Sequence, residues 1–211
     1  MSSPTLHSDL TVFIVDDDES ICEAICNLLD SVGLRGEPYH SAQDFVRSGR
    51  SRDPGCLVLD FRLPGMTGVE FQDELAKAGV NMPIIFMTAH GDVPMVRKVM
   101  KAGAIEFLTK PFQKQELLTA IHQAFDGLHA RRDELAANRS ASACFQRLTP
   151  RERAVMEMMT AGLLTKQIAA HLNLSEVTVK MHRRHVMEKM QADSLASLVR
   201  MADRVKRSRR L

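Results

Sequence analysis

Five polar side chains of the first half of this 211-residue chain fall just beyond short apolar runs. Asp16 and Asp17 follow Thr11–Val15, Asp60 follows Cys56–Leu59, Thr88 follows Pro83–Met87, and Lys110 follows Ile105–Leu108. Three carboxylates brought together raise one another's pKa unless a cation intervenes. An oxygen-only donor set suits a hard divalent ion such as Mg²⁺, which takes an octahedral shell and keeps several waters. Lys110 adds a second cation and Thr88 a hydroxyl. Such a set can hold and neutralise a phosphoryl group carried on one carboxylate, with transfer driven by positioning and charge stabilisation. A single strand-end acid, such as Asp18 or Glu19 nearby, reads equally well as a turn residue or helix cap. Five complementary groups at equivalent ends are a constellation.

A second set of chemistry-bearing residues lies between Ser175 and Met190, where Lys180, Arg183, Arg184 and Lys189 supply positive charge and His182 and His185 stand among them. Lysine and arginine on the exposed face of a helix in a major groove read guanine or hold phosphates. A solvated helix face has the same composition, so the charge alone is weak. The two histidines are spaced i, i+3 without a third metal ligand, which reads as packing or as flanking a nucleic-acid backbone.

The elements that must position these groups follow from periodicity. The four apolar runs, with a weaker strand near Arg35–His40, alternate with helical stretches at Ser20–Val32, Ser41–Arg47, Val69–Ala78, Met95–Lys101 and Lys114–Phe125. Ser20 is the expected N-cap of the first helix and Gly33 its stop. Alternating strands and helices predict an α/β doubly wound parallel sheet of five strands. Right-handed crossovers then bring the carboxyl ends of all strands to one edge, where such sheets bind ligands. The second half reads as all-α. Thr149-Pro150-Arg151-Glu152 combines N-cap, first-turn proline and capping box. Thr165 is expected to cap the next helix, Ser175 a third running to Met190 with Val177, Val186 and Met190 facing the core, and Ser194 a fourth. The predicted organisation is 1–126, a connecting segment 127–146 that reads equally as helix or flexible linker, and 147–211.

At 45% hydrophobic residues the chain can bury a core, which excludes wholesale disorder. Its net charge of +2 hides a split: residues 1–126 carry 18 acidic and 11 basic side chains, net −7, and residues 127–211 carry 8 and 17, net +9. Two units with different partners, the basic one suited to a polyanion, are implied. Four cysteines lack metal or CxxC spacing, and Cys22 and Cys26, at i, i+4, read as packing. With no secretory signature and no run of 18 apolar residues, a soluble protein of the cytoplasm without membrane contact is expected.

Residues 11–126 resemble the receiver domain of bacterial two-component response regulators. The match lies in Val15-Asp16-Asp17, in Leu59-Asp60-Phe61-Arg62-Leu63-Pro64-Gly65-Met66-Thr67-Gly68, in Met87-Thr88-Ala89-His90-Gly91-Asp92 and in Leu108-Thr109-Lys110-Pro111-Phe112. The resemblance implies a flavodoxin-like fold with Asp60 as phosphoacceptor and Asp16 and Asp17 as the acid pair. It implies Mg²⁺ on Asp17, Asp60 and the main-chain carbonyl of Arg62, with Asp16 reaching it through water. Thr88 and Lys110 would contact the phosphoryl oxygens, Phe107 stands at the aromatic switch position although its side chain reads equally as an ordinary strand core residue, and the Lys110–Pro111 bond is expected to be cis. Leu148-Thr149-Pro150-Arg151-Glu152-Arg153, Lys166-Gln167-Ile168-Ala169 and Thr178-Val179-Lys180-Met181-His182-Arg183 resemble the LuxR-type helix-turn-helix domain. Carried over, Lys180, Met181 and Arg184 are the base-edge or groove candidates, Thr178 and His182 lie nearer the backbone, and Arg183 is a further DNA-binding residue. Gln167 stands where the family usually has Glu, and Gln191-Ala192-Asp193 where it usually has a glycine turn. The order of the two domains is similar to the NarL/FixJ subfamily, which implies a transcriptional regulator rather than an enzyme. Its implied partners are a sensor histidine kinase, double-stranded DNA and, when phosphorylated, a second copy of itself; promoter activation is the expected output. Asp16-x-Asp18-x-Ser20 weakly echoes the nucleophile motif of haloacid-dehalogenase-like hydrolases, but that reading leaves Asp60 and the basic helices unexplained.

Overall fold

A computed structural model describes residues 10–89 and 103–208. The chain divides into two compact units, residues 1–130 and 131–211. In the first, five strands, β1 (Thr11–Val15), β2 (Arg35–Tyr39), β3 (Gly55–Asp60), β6 (Ile84–Thr88) and β7 (Glu106–Thr109), form a parallel sheet in the order β2-β1-β3-β6-β7. Val15, Leu59 and Tyr39 share one level of the register, so β1, β2 and β3 end together, and Asp60 pairs with Met87 one residue before Thr88. Both faces are covered, which is why β1 and β3 are buried at every residue and read as continuous apolar runs rather than alternating ones. Val12, Ile14, Val58, Ile85 and Met87 pack with Ile25 and Leu29 of α1 (Glu19–Ser31) and with Leu117, Ile121 and Phe125 of α4 (Lys114–Gln146). On the other face Phe13, Leu57, Leu59 and Phe86 meet Phe45 of α2 (Ala42–Arg47) and Phe71 and Leu75 of α3 (Gly68–Lys77). The expected helix at Met95–Lys101 lies outside the described residues.

Two expected helix starts are corrected. Asp18, not Ser20, caps α1: its carboxylate accepts from the Ser20 amide at 2.9 Å and from the Ser20 hydroxyl at 2.6 Å. A carboxylate is the stronger acceptor for a helix N-terminus and claims the position upstream. Gly33 does follow the helix in left-handed geometry, φ 75°.

The second unit is helical and has its own core. Ala141, Cys144 and Phe145 from the end of α4 pack with Val155 and Met159 of α5 (Pro150–Thr160), Ile168 of α6 (Thr165–Leu172), Val179, Val186 and Met190 of α7 (Glu176–Met190), and Leu198, Ala202 and Val205 of α8 (Leu195–Ser208). The segment 127–146, open between helix and linker in the sequence, is helical throughout as part of α4. Thr149 and Glu152 form the expected reciprocal capping box. Leu164, not Thr165, precedes the first turn of α6, because its amide donates to Gln167 Oε1 at 2.8 Å. The side-chain amide of Gln167 thus reaches back as a glutamate would.

Val177 is the core residue that the sequence misplaces. It is 77% exposed, and Val179 is fully buried instead. Val179, Val186 and Met190 stand at i, i+7 and i+11 and share one helix face; Val177, two residues before Val179, points about 200° away. Among the described residues no helix is long and apolar enough to cross a membrane.

Candidate functional sites

Three strand ends build the first site. Asp16 leaves β1, Asp60 closes β3, and Lys110 follows β7 at a cis Lys110–Pro111 peptide. The Lys110 ammonium bridges the two acids, 2.5 Å from Asp16 Oδ2 and 2.7 Å from Asp60 Oδ1. The second oxygen of Asp60 accepts from the Arg62 amide at 2.7 Å, and Asp16 Oδ1 accepts from the Asp18 amide at 3.1 Å. The Arg62 amide is aimed by a tight ribbon: Arg62–Leu63 (β4) pairs antiparallel with Met66–Thr67 (β5) across Pro64-Gly65. Proline presets the first corner of such a turn, and Gly65, at φ 84°, supplies the left-handed second corner. Gly68, at the start of α3, sits so close that a Cβ there would meet Phe86 Cε1 at 2.7 Å and the Asp60 carbonyl at 3.0 Å. Bulk at Gly68 would therefore press on the strand that ends in Asp60.

Burial pushes the Asp16 carboxyl above the usual carboxylate range, and its contacts with Lys110 and the Asp18 amide only partly oppose this. Burial also works against the charge on Lys110, but the bonds to Asp16 and Asp60 outweigh it and hold its pKa above the ordinary lysine value. Thr88 is buried at the end of β6, and the Lys110 amide donates to its carbonyl at 2.6 Å. Asp17 is exposed beside Asp16, and Phe107 is half-buried against the aromatic side of the sheet. Hydrogen bonds join Asp16, Asp60, Lys110 and Arg62; Asp17 follows Asp16 at the same edge, Thr88 ends β6 opposite Thr109, and Phe107 lies two residues inside that edge, paired with Phe86. The donor set is carboxylate and carbonyl oxygen, which fits a hard divalent cation. Cys22 touches the site only through the backbone, its thiol donating to the Asp16 carbonyl at 3.5 Å, and burial pushes that thiol up to about 11.

The second site is the outer face of α7. Lys180, Met181 and Arg184 are exposed, and Thr178, His182 and Arg183 are half-buried on its flanks. Arg184 Nε donates to Glu188 Oε1 at 2.7 Å, an exposed i, i+4 pair that lays the guanidinium along the helix. Lys189 belongs elsewhere: its ammonium bonds both oxygens of buried Glu152 at 2.7 and 2.8 Å, tying α7 to the start of α5. The histidines do meet a third ligand type, contrary to the sequence reading, since atoms of Glu152, His182 and His185 lie within 4.8 Å of one another. Lys189 already occupies that carboxylate, and the Thr149 amide donates to it at 2.8 Å. The Glu152 charge is spent within the fold rather than offered to an ion.

Comparison with known proteins assigns each half of the chain to a domain family. Residues 12–122 match the response regulator receiver domain, and residues 146–202 match the luxR family of bacterial regulatory proteins. The chain is 46% identical to nodulation protein W of Bradyrhizobium diazoefficiens, covering 91% of this chain and 85% of that protein. It is 40% identical to the transcriptional regulatory protein FixJ of Rhizobium meliloti, covering 92% and 96%. The solved low-resolution structure of the response regulator StyR superposes with a TM-score of 0.75 at 46% identity, over 92% of this chain and 98% of that one. The chain therefore belongs to the two-component response regulators of the NarL/FixJ subfamily, transcriptional regulators that join a receiver to a LuxR-type DNA-binding domain.

Proposed function

We propose that Asp60 is the phosphoacceptor of this regulator and that α7 reads its promoters. The observation that carries the first half is the Lys110 ammonium shared between Asp16 and Asp60 at 2.5 and 2.7 Å. An Asp60 oxygen attacks the phosphorus, the bond from phosphorus to the imidazole nitrogen of the donor breaks, and that nitrogen keeps the electron pair. Lys110 and the Arg62 amide hold the charge that gathers on the Asp60 side. Asp17, Asp60 and the Arg62 carbonyl would hold Mg²⁺, with Asp16 linked through water; the ion would supply positive charge against the phosphoryl oxygens. Thr88 would donate its hydroxyl to the phosphoryl group and Phe107 would fill the space vacated, favouring a homodimer. The donor is a sensor histidine kinase, and an apolar depression of about 550 Å³ beside Lys110, lined by Ile21, Ile25, Leu28, Pro111 and Phe112, gives such a partner a surface. Lys180, Met181 and Arg184 would enter the major groove while Thr178, His182 and Arg183 steady the helix against the backbone, with promoter activation as the output. Residues 1–126 and 147–211 would be the two functional domains.

Intact-mass measurement with a small phosphodonor and Mg²⁺ tests the assignment. The parent gains one phosphoryl group and Asp60→Asn gains none. An equal gain in the variant places the acceptor elsewhere.

A further inference from the structure

Val177 has no structural reason to be apolar. It is 77% exposed in the first turn of α7, where a β-branched residue is a weaker helix former than alanine. One exposed valine is ordinary on any protein. Its company makes it informative. At about 100° per residue, Val177, Lys180, Met181, Arg184 and Glu188 fall within an arc of roughly 100°. All five are exposed, and the arc lies opposite Val179, Val186 and Met190, which are fully buried. Val177 and Met181, the latter 47% exposed, stand one turn apart and form an apolar step alongside Lys180 and Arg184.

The cations select the partner and the apolar step selects the part of it. Residues 127–211 carry 17 basic against 8 acidic side chains, so a polyanion is the complementary surface. Duplex DNA has one apolar group that a helix can reach between its phosphates, the 5-methyl of thymine in the major groove; phosphates and sugars carry no sequence information. The first residues of a recognition helix are those that meet base edges. We propose that Val177, packed beside Met181, reads thymine through its methyl group and is a specificity-determining residue of the operator half-site. The proposal rests on DNA binding through α7 and adds a reader that the receiver and LuxR-type resemblance did not supply.

Deoxyuridine isolates the interaction, because it removes the methyl and leaves every hydrogen-bonding group in place. A preferred duplex is first selected from a random pool with the phosphorylated full chain. Each thymine of the half-site is then replaced in turn by deoxyuridine. The parent should lose about 4-fold in affinity at one or two positions, the ~0.8 kcal/mol of a buried methyl-sized group. Val177→Ala should bind the thymine duplex about that much more weakly and become indifferent to the replacement at one of those positions. Val177→Ile should keep the sensitivity. The slope of log affinity against log salt should not change in Val177→Ala, since no phosphate contact is lost. If no replacement matters, or if Val177→Ala retains the full thymine preference, Val177 is not a reader although α7 still binds DNA. Failure to select any duplex overturns the DNA-binding reading together with this one.

Discussion

Asp16 and Glu152 expose almost equally little surface, 1% and 3%, and each sits on a lysine ammonium, yet their pKa values move in opposite directions. Burial dominates at Asp16 and drives it up. Burial pushes Glu152 up as well, but its bonds to Lys189 and Thr149 overcome it, and the group ends below the usual glutamate range. The difference is first one of depth, since Asp16 lies much deeper among protein atoms than Glu152, and then one of partners. Lys189 gives its charge to both oxygens of one carboxylate, and the helix cap adds an amide. Lys110 divides its charge between two carboxylates, with exposed Asp17 adjoining. One ionic cluster is closed on itself and ties two helices together. The other is short of positive charge, the condition that favours a divalent cation or a reaction that redistributes charge.

The sharpest way to break this comparison is to remove the shared cation. Lys110→Met should cost about 2–4 kcal/mol at neutral pH in the absence of divalent ions, because it leaves two buried acids facing each other. The loss should shrink as pH falls through the raised pKa of Asp16, where that group takes a proton. Denaturant unfolding of the full chain, with hydrogen exchange read separately over 10–89 and 150–205, places the effect in the first unit. Full stability in Lys110→Met would show that the pocket is already neutral.

The same chemical change at the two acids should have opposite signs. Glu152→Gln should destabilise the second unit by about 1–3 kcal/mol, through the lost charge on Lys189 and a weakened cap. Asp16→Asn should stabilise the first unit by about 1 kcal/mol at pH 7, since it relieves a carboxylate that burial disfavours. The pH dependence follows the same signs. Glu152 has a lowered folded pKa, so its contribution is present above its ordinary value near 4.5 and is lost as pH falls through the folded value. Asp16 has a raised folded pKa, so the native state holds its proton longer and loses stability as pH rises from 3.8 through that value. Hydrogen exchange followed from neutral pH to below 4.5 should show the two units drifting apart in these directions; parallel drift would remove the distinction.

The sheet and its pocket were legible because strands buried on both faces are continuous apolar runs, and each run ends in a residue of unusual chemistry. The helix over 127–146 was not. Its exposed middle, near 130–136, offers no apolar stripe, and the flanking apolar residues serve two different cores, Phe125 in one and Phe145 in the other. Pattern cannot separate helix from coil where no face is buried. Val177 was misassigned because valine suggests a core position, and only the phase set by Val179, Val186 and Met190 shows otherwise. The meeting of Glu152 with His182 and His185 joins residues of α5 and α7, and no local spacing announces it.

The smallest effect concerns how α7 ends. Gln191 stands where related chains usually turn on glycine, and it adopts the turn nonetheless, at φ 55° and ψ 36°. Its amide donates to the Glu188 carbonyl at 3.1 Å, and the Ala192 amide donates to Met187 at 3.0 Å, so the carbonyls of the last turn are satisfied as in a glycine-ended helix. What differs is the Cβ, which crowds the backbone in left-handed geometry by about 1–2 kcal/mol. Glycine removes that strain but adds about 0.5–1 kcal/mol of chain entropy to the unfolded state. Gln191→Gly should therefore stabilise the second unit by roughly 0.5–1 kcal/mol. Because Gln191 lies beyond the face of α7 proposed to read DNA, affinity for the selected duplex should stay within about 2-fold, a change of ~0.4 kcal/mol. A loss of stability would mean that the Gln191 side chain holds the turn, and a loss of affinity without one would carry the reading surface past Met190.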